Sequence, residues 1–146
     1  ISWNTKSSME MSSFRNINLT DLATTLRGPN IKLLNLQYGA TTNEFDNLKK
    51  TTGIEIINEK QVDNIYDIDG MASLISACDL VVTIDNYIVH LAGSLGVKTI
   101  ALLPYNIDSR WGMKDKKSYI YNSVNLYRQS KLGKWDTVLK DLKNGI

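Results

Sequence analysis

The sequence predicts an α/β domain: a parallel sheet with helices on both faces. Three observations carry that expectation. Short apolar, β-rich stretches alternate with helical patterns along the chain. The two strongest stretches, Leu80–Ile84 (LVVTI) and Thr99–Leu103 (TIALL), are apolar without alternation, as strands are when both faces are covered. The connections between strand and helix patterns are mostly short, which suits right-handed crossovers.

Each element has its own warrant. Ile1–Trp3 reads as a first strand. Leu19, Leu22, Ala23 and Leu26 then fall at i, i+3, i+4 and i+7, the apolar face of a helix that Gly28 should stop. Ile31–Gln37 is the second strand. Thr41-x-x-Glu44 is a capping-box pattern opening a helix over 42–51, with Gly53 past its end. Glu55–Ile57 is the third strand. Met71, Leu74, Ile75 and Cys78 repeat the helical spacing, with Asp69 expected as N-cap. Leu80–Ile84 follows, then a helix on Ile88, Leu91, Ala92 and Leu95, with Asp85 expected as its N-cap and Gly96 as its stop. After Thr99–Leu103, residues 104–123 break the rhythm with Pro104, Asp108, Arg110, Trp111, Gly112 and a lysine cluster. A long loop is expected there, and such loops are often functional. Trp135, Val138, Leu139 and Leu142 make the last helix.

Composition narrows the function classes. At 146 residues, 42% hydrophobic and 22% charged, the chain fits one domain, 1–146, with a real core. Its apolar runs fall far short of the roughly 20 residues of a bilayer span, so it is not expected to be transmembrane. No basic segment followed by an apolar one opens the chain, so the expected location is cytoplasmic. One cysteine, Cys78, excludes an intrachain disulfide, and one histidine, His90, excludes a histidine-rich metal centre. No metal is expected. A net charge of +2 gives no reason to expect a nucleic-acid partner. Residues 110–146 nevertheless hold nine Lys/Arg against three carboxylates, either a solvated face or a docking surface for an acidic partner. A chain that opens with Ile inside a strand reads as part of something longer.

Ligands of open α/β sheets bind outside the carboxyl ends of the strands, where the strand order reverses. Two segments matter under that rule. The fourth strand runs into Asp85-Asn86-Tyr87-Ile88-Val89-His90. A helix starting at Asn86 would aim the N–H groups of Asn86, Tyr87 and Ile88 out of the sheet edge, an arrangement suited to a diphosphate. His90, one turn deeper on the same face, reaches the same pocket. Asp85 is otherwise an ordinary N-cap, and His90 a hydrogen-bonded core group. The first strand leads into Asn4-Thr5-Lys6-Ser7-Ser8 and then Phe14-Arg15-Asn16, whose hydroxyls, ammonium and guanidinium can neutralise a leaving phosphate without a metal; the alternative is an exposed polar loop. No G-x-G-x-x-G follows the first strand and no P-loop pattern is present, which argues against a standard dinucleotide fold or a P-loop NTPase. Asn18-Leu19-Thr20 reads as a helix start rather than a glycosylation site, Asp67 and Asp69 as caps rather than metal ligands, and Cys78 as core. Trp111, Tyr121, Tyr127 and Trp135 can be explained by packing of the last segment alone.

The run Asp79–Val97, DLVVTIDNYIVHLAGSLGV, resembles the donor-binding half of bacterial glycosyltransferases related to the heptosyltransferases. It is most similar to the glycosyltransferase-like domain at the C-terminus of tetratricopeptide-repeat proteins. The loop Pro104…Asp108-Ser109-Arg110-Trp111, the stretch Tyr121…Leu126-Tyr127-Arg128-Gln129 and Gly133…Trp135 continue the likeness. The resemblance implies the C-terminal, Rossmann-like half of a two-domain GT-B enzyme, with a nucleoside-diphosphate sugar as substrate and no cofactor. An N-terminal half would supply the rest of the acceptor cleft, the acceptor being unknown. Carried over, Asp85, Asn86, Tyr87 and His90 would hold the diphosphate and sugar, and Lys6 and Arg15 would face the phosphates. Asp108, Arg110 and Trp111 would form a cleft loop. Tyr87 departs from the small residue the family carries there.

The functional expectation is thus the donor-binding part of a metal-independent hexosyl- or heptosyltransferase, incomplete for catalysis because no general base is visible. Two alternatives remain: a non-catalytic interaction module on the same fold, and half of a nucleotide-sugar epimerase. The sequence argues against a receiver-type signalling domain, because Asn4-Thr5-Lys6 stands where it needs an acidic cluster.

Overall fold

The computed structural model describes residues 1–5, 14–106 and 108–146. Among the described residues five α-helices and five strands follow one another, alternating up to β4: α1 (Leu19–Thr25), β1 (Leu33–Leu34), α2 (Thr42–Thr52), β2 (Ile56–Ile57), α3 (Ile68–Ser76), β3 (Val81–Ile84), α4 (Tyr87–Ser94), β4 (Thr99–Leu103), β5 (Val124–Arg128) and α5 (Asp136–Gly145). All strand pairs are parallel: β1 with β2, β3 with β4, and β4 with β5.

Residues 1–3 join the two ladders. Leu36 N donates to Ile1 O on one side, while Ser2 N donates to Val82 O and Ile84 N to Ser2 O on the other. Across the molecule the order is therefore β2, β1, residues 1–3, β3, β4, β5. With residues 1–3 counted as the first strand, this is the Rossmann order 3-2-1-4-5-6, and its switch point lies between residues 1–3 and β3. Side chains alternate across the sheet. Val82, Ile84, Ile100 and Leu102 pack with α1 and α5, whereas Val81 packs with α3 and α4. Every residue of β3 and β4 is buried, the reason their sequences show no alternation.

The helix ends are set by side-chain chemistry. Asn18 accepts from Thr20 N and Asp21 N and opens α1. Thr41 and Glu44 form a reciprocal capping box on α2, and Gly53 closes it at φ +72°. Two expected caps are corrected. Asp67, not Asp69, caps α3, and Asn86, not Asp85, caps α4. In each case the side chain needed is the one whose backbone is still extended or irregular, which places the cap nearer to or farther from the strand than apolar spacing implies.

Two other expectations change. β5 was not expected, because Asn125 interrupts its apolar pattern and only Val124 and Leu126 are fully buried; pairing with β4 makes it a strand. Residues 31–37 are regular only at Leu33–Leu34: beyond them Asn35 Oδ1 accepts from Gln37 N, and the Gln37 side chain turns to residues 2–4. Among the described residues no helix is long and apolar enough to cross a membrane.

Candidate functional site

The switch point is built by a buried polar network. Gln37 Oε1 accepts from Ser2 Oγ (3.0 Å), Trp3 N (3.0 Å) and Asn4 N (2.8 Å), so one side chain holds the end of the first strand. Asn86 Nδ2 donates to Ser2 Oγ at 2.8 Å, and Asn86 Oδ1 accepts from Thr83 Oγ1 (3.1 Å) and Ile88 N (3.0 Å). Asn86 thereby ties the first strand, β3 and the start of α4 together.

This network corrects the expectation of three open amides. Asn86 N donates to Ile84 O at 2.9 Å, and Ile88 N is capped by Asn86 itself. Of the three, only Tyr87 N lacks a partner among the described residues. The physical reason is that an asparagine at N-cap satisfies the orphan donor it precedes.

Beside that end of α4 lies a charged cluster from three distant parts of the chain. The Asp85 carboxylate is 11% exposed; its Oδ2 meets Arg15 Nη2 at 3.2 Å. Its Oδ1 accepts from Trp111 Nε1 at 3.0 Å, and its main-chain carbonyl accepts a second bond from Arg15 Nη2. Trp111 is fully buried and stacks on His90, ring centres 5.4 Å apart and planes 23° from parallel. Arg110, beside it in the turn Ser109–Trp111, bonds Asp108 at 2.6 Å and reaches His90 Nε2 at 3.4 Å.

The protonation of His90 follows from its partners. A guanidinium can only donate, so Nε2 is the bare nitrogen and Nδ1–H donates to Tyr121 Oη at 3.1 Å. Partial burial, then the Arg110 charge, push its pKa below the ordinary value; Asp85 and Asp108 oppose them. Hydrogen bonds from Arg110 hold Asp108 well below the usual carboxylate range.

Tyr121 is seated in turn by Gly93, one turn beyond His90. A Cβ at Gly93 would lie 2.5 Å from Tyr121 Cγ, so only glycine admits the ring. Arg15 is placed by fixed flanks. Asn16 Oδ1 accepts from Thr5 N at 2.8 Å, and the Phe14 and Asn16 carbonyls accept from Gln129 Nε2 (3.2 Å) and Trp135 Nε1 (2.9 Å).

A family model described as glycosyltransferase family 9 (heptosyltransferase) matches residues 64–140. The chain belongs to glycosyltransferase family 9. The matched stretch of this family 9 domain runs from before α3 into α5 and holds Asp85, Asn86, His90, Arg110, Trp111 and Tyr121, while Ser2, Arg15 and Gln37 lie before it. Protein FlbA of Caulobacter vibrioides is 30% identical over 115 residues, 78% of this chain. The family 9 chain spans 19% of that protein's length. No solved structure matches.

Of the residues singled out in the family 9 sequence, Arg15, Asp85, His90, Asp108, Arg110 and Trp111 come together. Tyr87 does not join them. Its hydroxyl donates to Asn64 O at 2.8 Å and its ring lies 6.2 Å from that of Tyr38, on the other flank of α4. Lys6 lies outside the described residues. Sequence reasoning missed Tyr121 as a site residue, and missed Ser2, Gln37 and Arg128. The pairing of Gly93 with a bulky ring had no local signal. Gln37 was visible as the polar end of the second expected strand, and Arg128 as part of the Tyr121…Gln129 stretch, but neither carried a local signal of the bonds it makes. Among the described residues no three His, Cys, Asp or Glu side chains group closely enough to hold a metal ion.

Proposed function

We propose that residues 1–146 form a single nucleotide-sugar-binding domain, the donor half of a two-domain, metal-independent glycosyltransferase. The diphosphate docks at the carboxyl edge, between Tyr87 N and the guanidinium of Arg110, with Lys6 facing the phosphates from the loop after the first strand. One observation carries the reading: the Arg15–Asp85–Trp111–His90–Arg110 cluster stands at the switch point of a Rossmann-ordered sheet.

The chemistry follows from charge. As the glycosidic bond breaks, negative charge grows on the departing diphosphate, and a fixed cation at that place lowers the barrier. Arg110 is half exposed, and solvent screens its ion pair with Asp108. It can therefore turn to a phosphate, where a charge-assisted bond is stronger. Arg15 positions: both its bonds go to Asp85. Asp85 is held by Arg15 and Trp111 and is not free to take the acceptor's proton. We assign the general base and the rest of the acceptor site to a second half, so that this chain binds donor without transferring sugar by itself.

Calorimetric titration with ADP, GDP, UDP, CDP and pyrophosphate tests the reading. At least one nucleoside diphosphate should bind, and Arg110→Ala should weaken it roughly 10- to 100-fold. In the assembled enzyme Lys6→Ala should slow transfer by roughly 100- to 1000-fold. Silence from every diphosphate at millimolar concentration favours the non-catalytic module, a reading that gains from the two satisfied amides of Asn86 and Ile88. Sugar transfer by this chain alone overturns the assignment of the base to another half; inversion of the sugar without transfer would point to an epimerase.

A further inference from the structure

We propose that Arg128 is a positioning residue for the charged cluster, acting through the main chain of Trp111. This rests on the donor-site reading only in saying what the cluster is for. Arg128 ends β5, and residues 104–123 are the long connection from β4 that carries Arg110 and Trp111. Its Nη2 donates to the carbonyls of Trp111 and Asp115, the latter at 3.1 Å, and its Nε donates to Asp115 O at 3.3 Å.

The turn between those carbonyls is tight. Gly112 has φ +65°, and a Cβ there would lie 2.4 Å from Asp115 Oδ2. Beyond it, residues 116–118 pair back on β5: Leu126 N donates to Lys116 O (2.9 Å) and Ser118 N to Val124 O (3.0 Å). The chain from Trp111 to Asp115 thus closes on one guanidinium, and residues 116–118 anchor its far end to β5. A planar fork can address two carbonyls at once; a lysine ammonium in its place is a single point. Arg128 Nη1 is buried with no partner among the described residues, so the group is a costly way to fill space. What it secures is the position of Trp111, whose indole N–H meets Asp85 and whose face covers His90.

The chain has one histidine and three tryptophans, so each reporter is readable by NMR. Arg128→Lys and Arg128→Met are compared with the parent for the His90 titration midpoint and for indole N–H exchange. The groups facing His90 are Arg110, Asp85, Asp108 and the Tyr121 hydroxyl. In both variants Trp111 N–H exchange should quicken on the order of tenfold or more, and the His90 midpoint should rise toward its ordinary value as the indole cover loosens. Trp135, bonded to Asn16 O at 2.9 Å, should be unaffected. Nucleoside diphosphate affinity should fall in parallel, roughly tenfold. If the parent binds no diphosphate, the donor reading fails while the two NMR outcomes still decide the role of Arg128. A folded variant with unchanged His90 and Trp111 signals overturns the proposal. So does loss of all three indole signals together in both variants, which would make Arg128 a support of the whole fold.

Discussion

Gly93→Ala isolates the contact that seats the His90 partner. The new Cβ would stand 2.5, 2.8 and 2.9 Å from Cγ, Cδ2 and Cδ1 of Tyr121. Carbon atoms pack at about 3.5–4.0 Å, so the ring must retreat by about 1 Å. It cannot do so freely, because Tyr121 packs against a cluster that includes Val89, Leu103 and Trp111. Overpacking of this kind costs about 1–3 kcal/mol. The retreat also breaks the 3.1 Å bond to His90 Nδ1, a further ~0.5–1.5 kcal/mol. Alanine returns at most about 1 kcal/mol in helix propensity, and less near the end of α4. The expected net loss is about 2 kcal/mol, a fall of about 4–8 °C in Tm for a domain of this size. Thermal melts followed by circular dichroism measure it. In a Tyr121→Ala background the same change should be neutral or mildly stabilising, which a double-mutant cycle shows directly. An unchanged or raised Tm in the parent background, or an equal loss without the ring, refutes the reasoning.

Two further outcomes are expected. Asp85→Ala should destabilise by about 1.5–3 kcal/mol, since it leaves the Trp111 N–H without its acceptor and Arg15 with only the main-chain carbonyl; Asp85→Asn, which keeps an acceptor for the indole, should cost less, and equal losses in urea titrations would argue against the indole bond. The His90 pKa is lower in the folded chain than its ordinary 6.5, so the unfolded chain binds the proton more readily. Its contribution to stability is complete above about pH 6.5 and is lost as pH falls through the lowered value; His90→Gln should flatten that part of the stability profile, and NMR should place the parent midpoint below 6.5.

Much of the fold was legible because burial writes itself into composition. Val81–Ile84 and Thr99–Leu103 are covered on both faces and are apolar throughout, and Thr41 with Glu44 announces a helix start from adjacent residues alone. β5 was not legible, because half of it is polar and its pairing partner lies beyond a long loop. The site divides the same way. Asp85, His90 and Arg110 could be named from their place after a strand or in a long loop. That the Asn86 side chain would cap Ile88 N, and that Tyr87 would turn to Asn64, depended on rotamers that neighbours choose, while Asn86 N meets Ile84 O through the turn of the backbone.

By itself the sequence determined the layered α/β plan, the bounds of most helices and the edge of the sheet to which the candidate site is assigned, since each follows from local periodicity and from the direction of parallel strands. Only the tertiary structure decided which charges meet. Arg15, Asp85 and Trp111 are separated along the chain by most of the domain, and their bonds exist because the sheet brings the first loop, the start of α4 and the β4–β5 connection to one place. Hydrogen bonds and ion pairs act over a few ångströms and leave no periodic trace in the chain, so that convergence is a property of the packed fold.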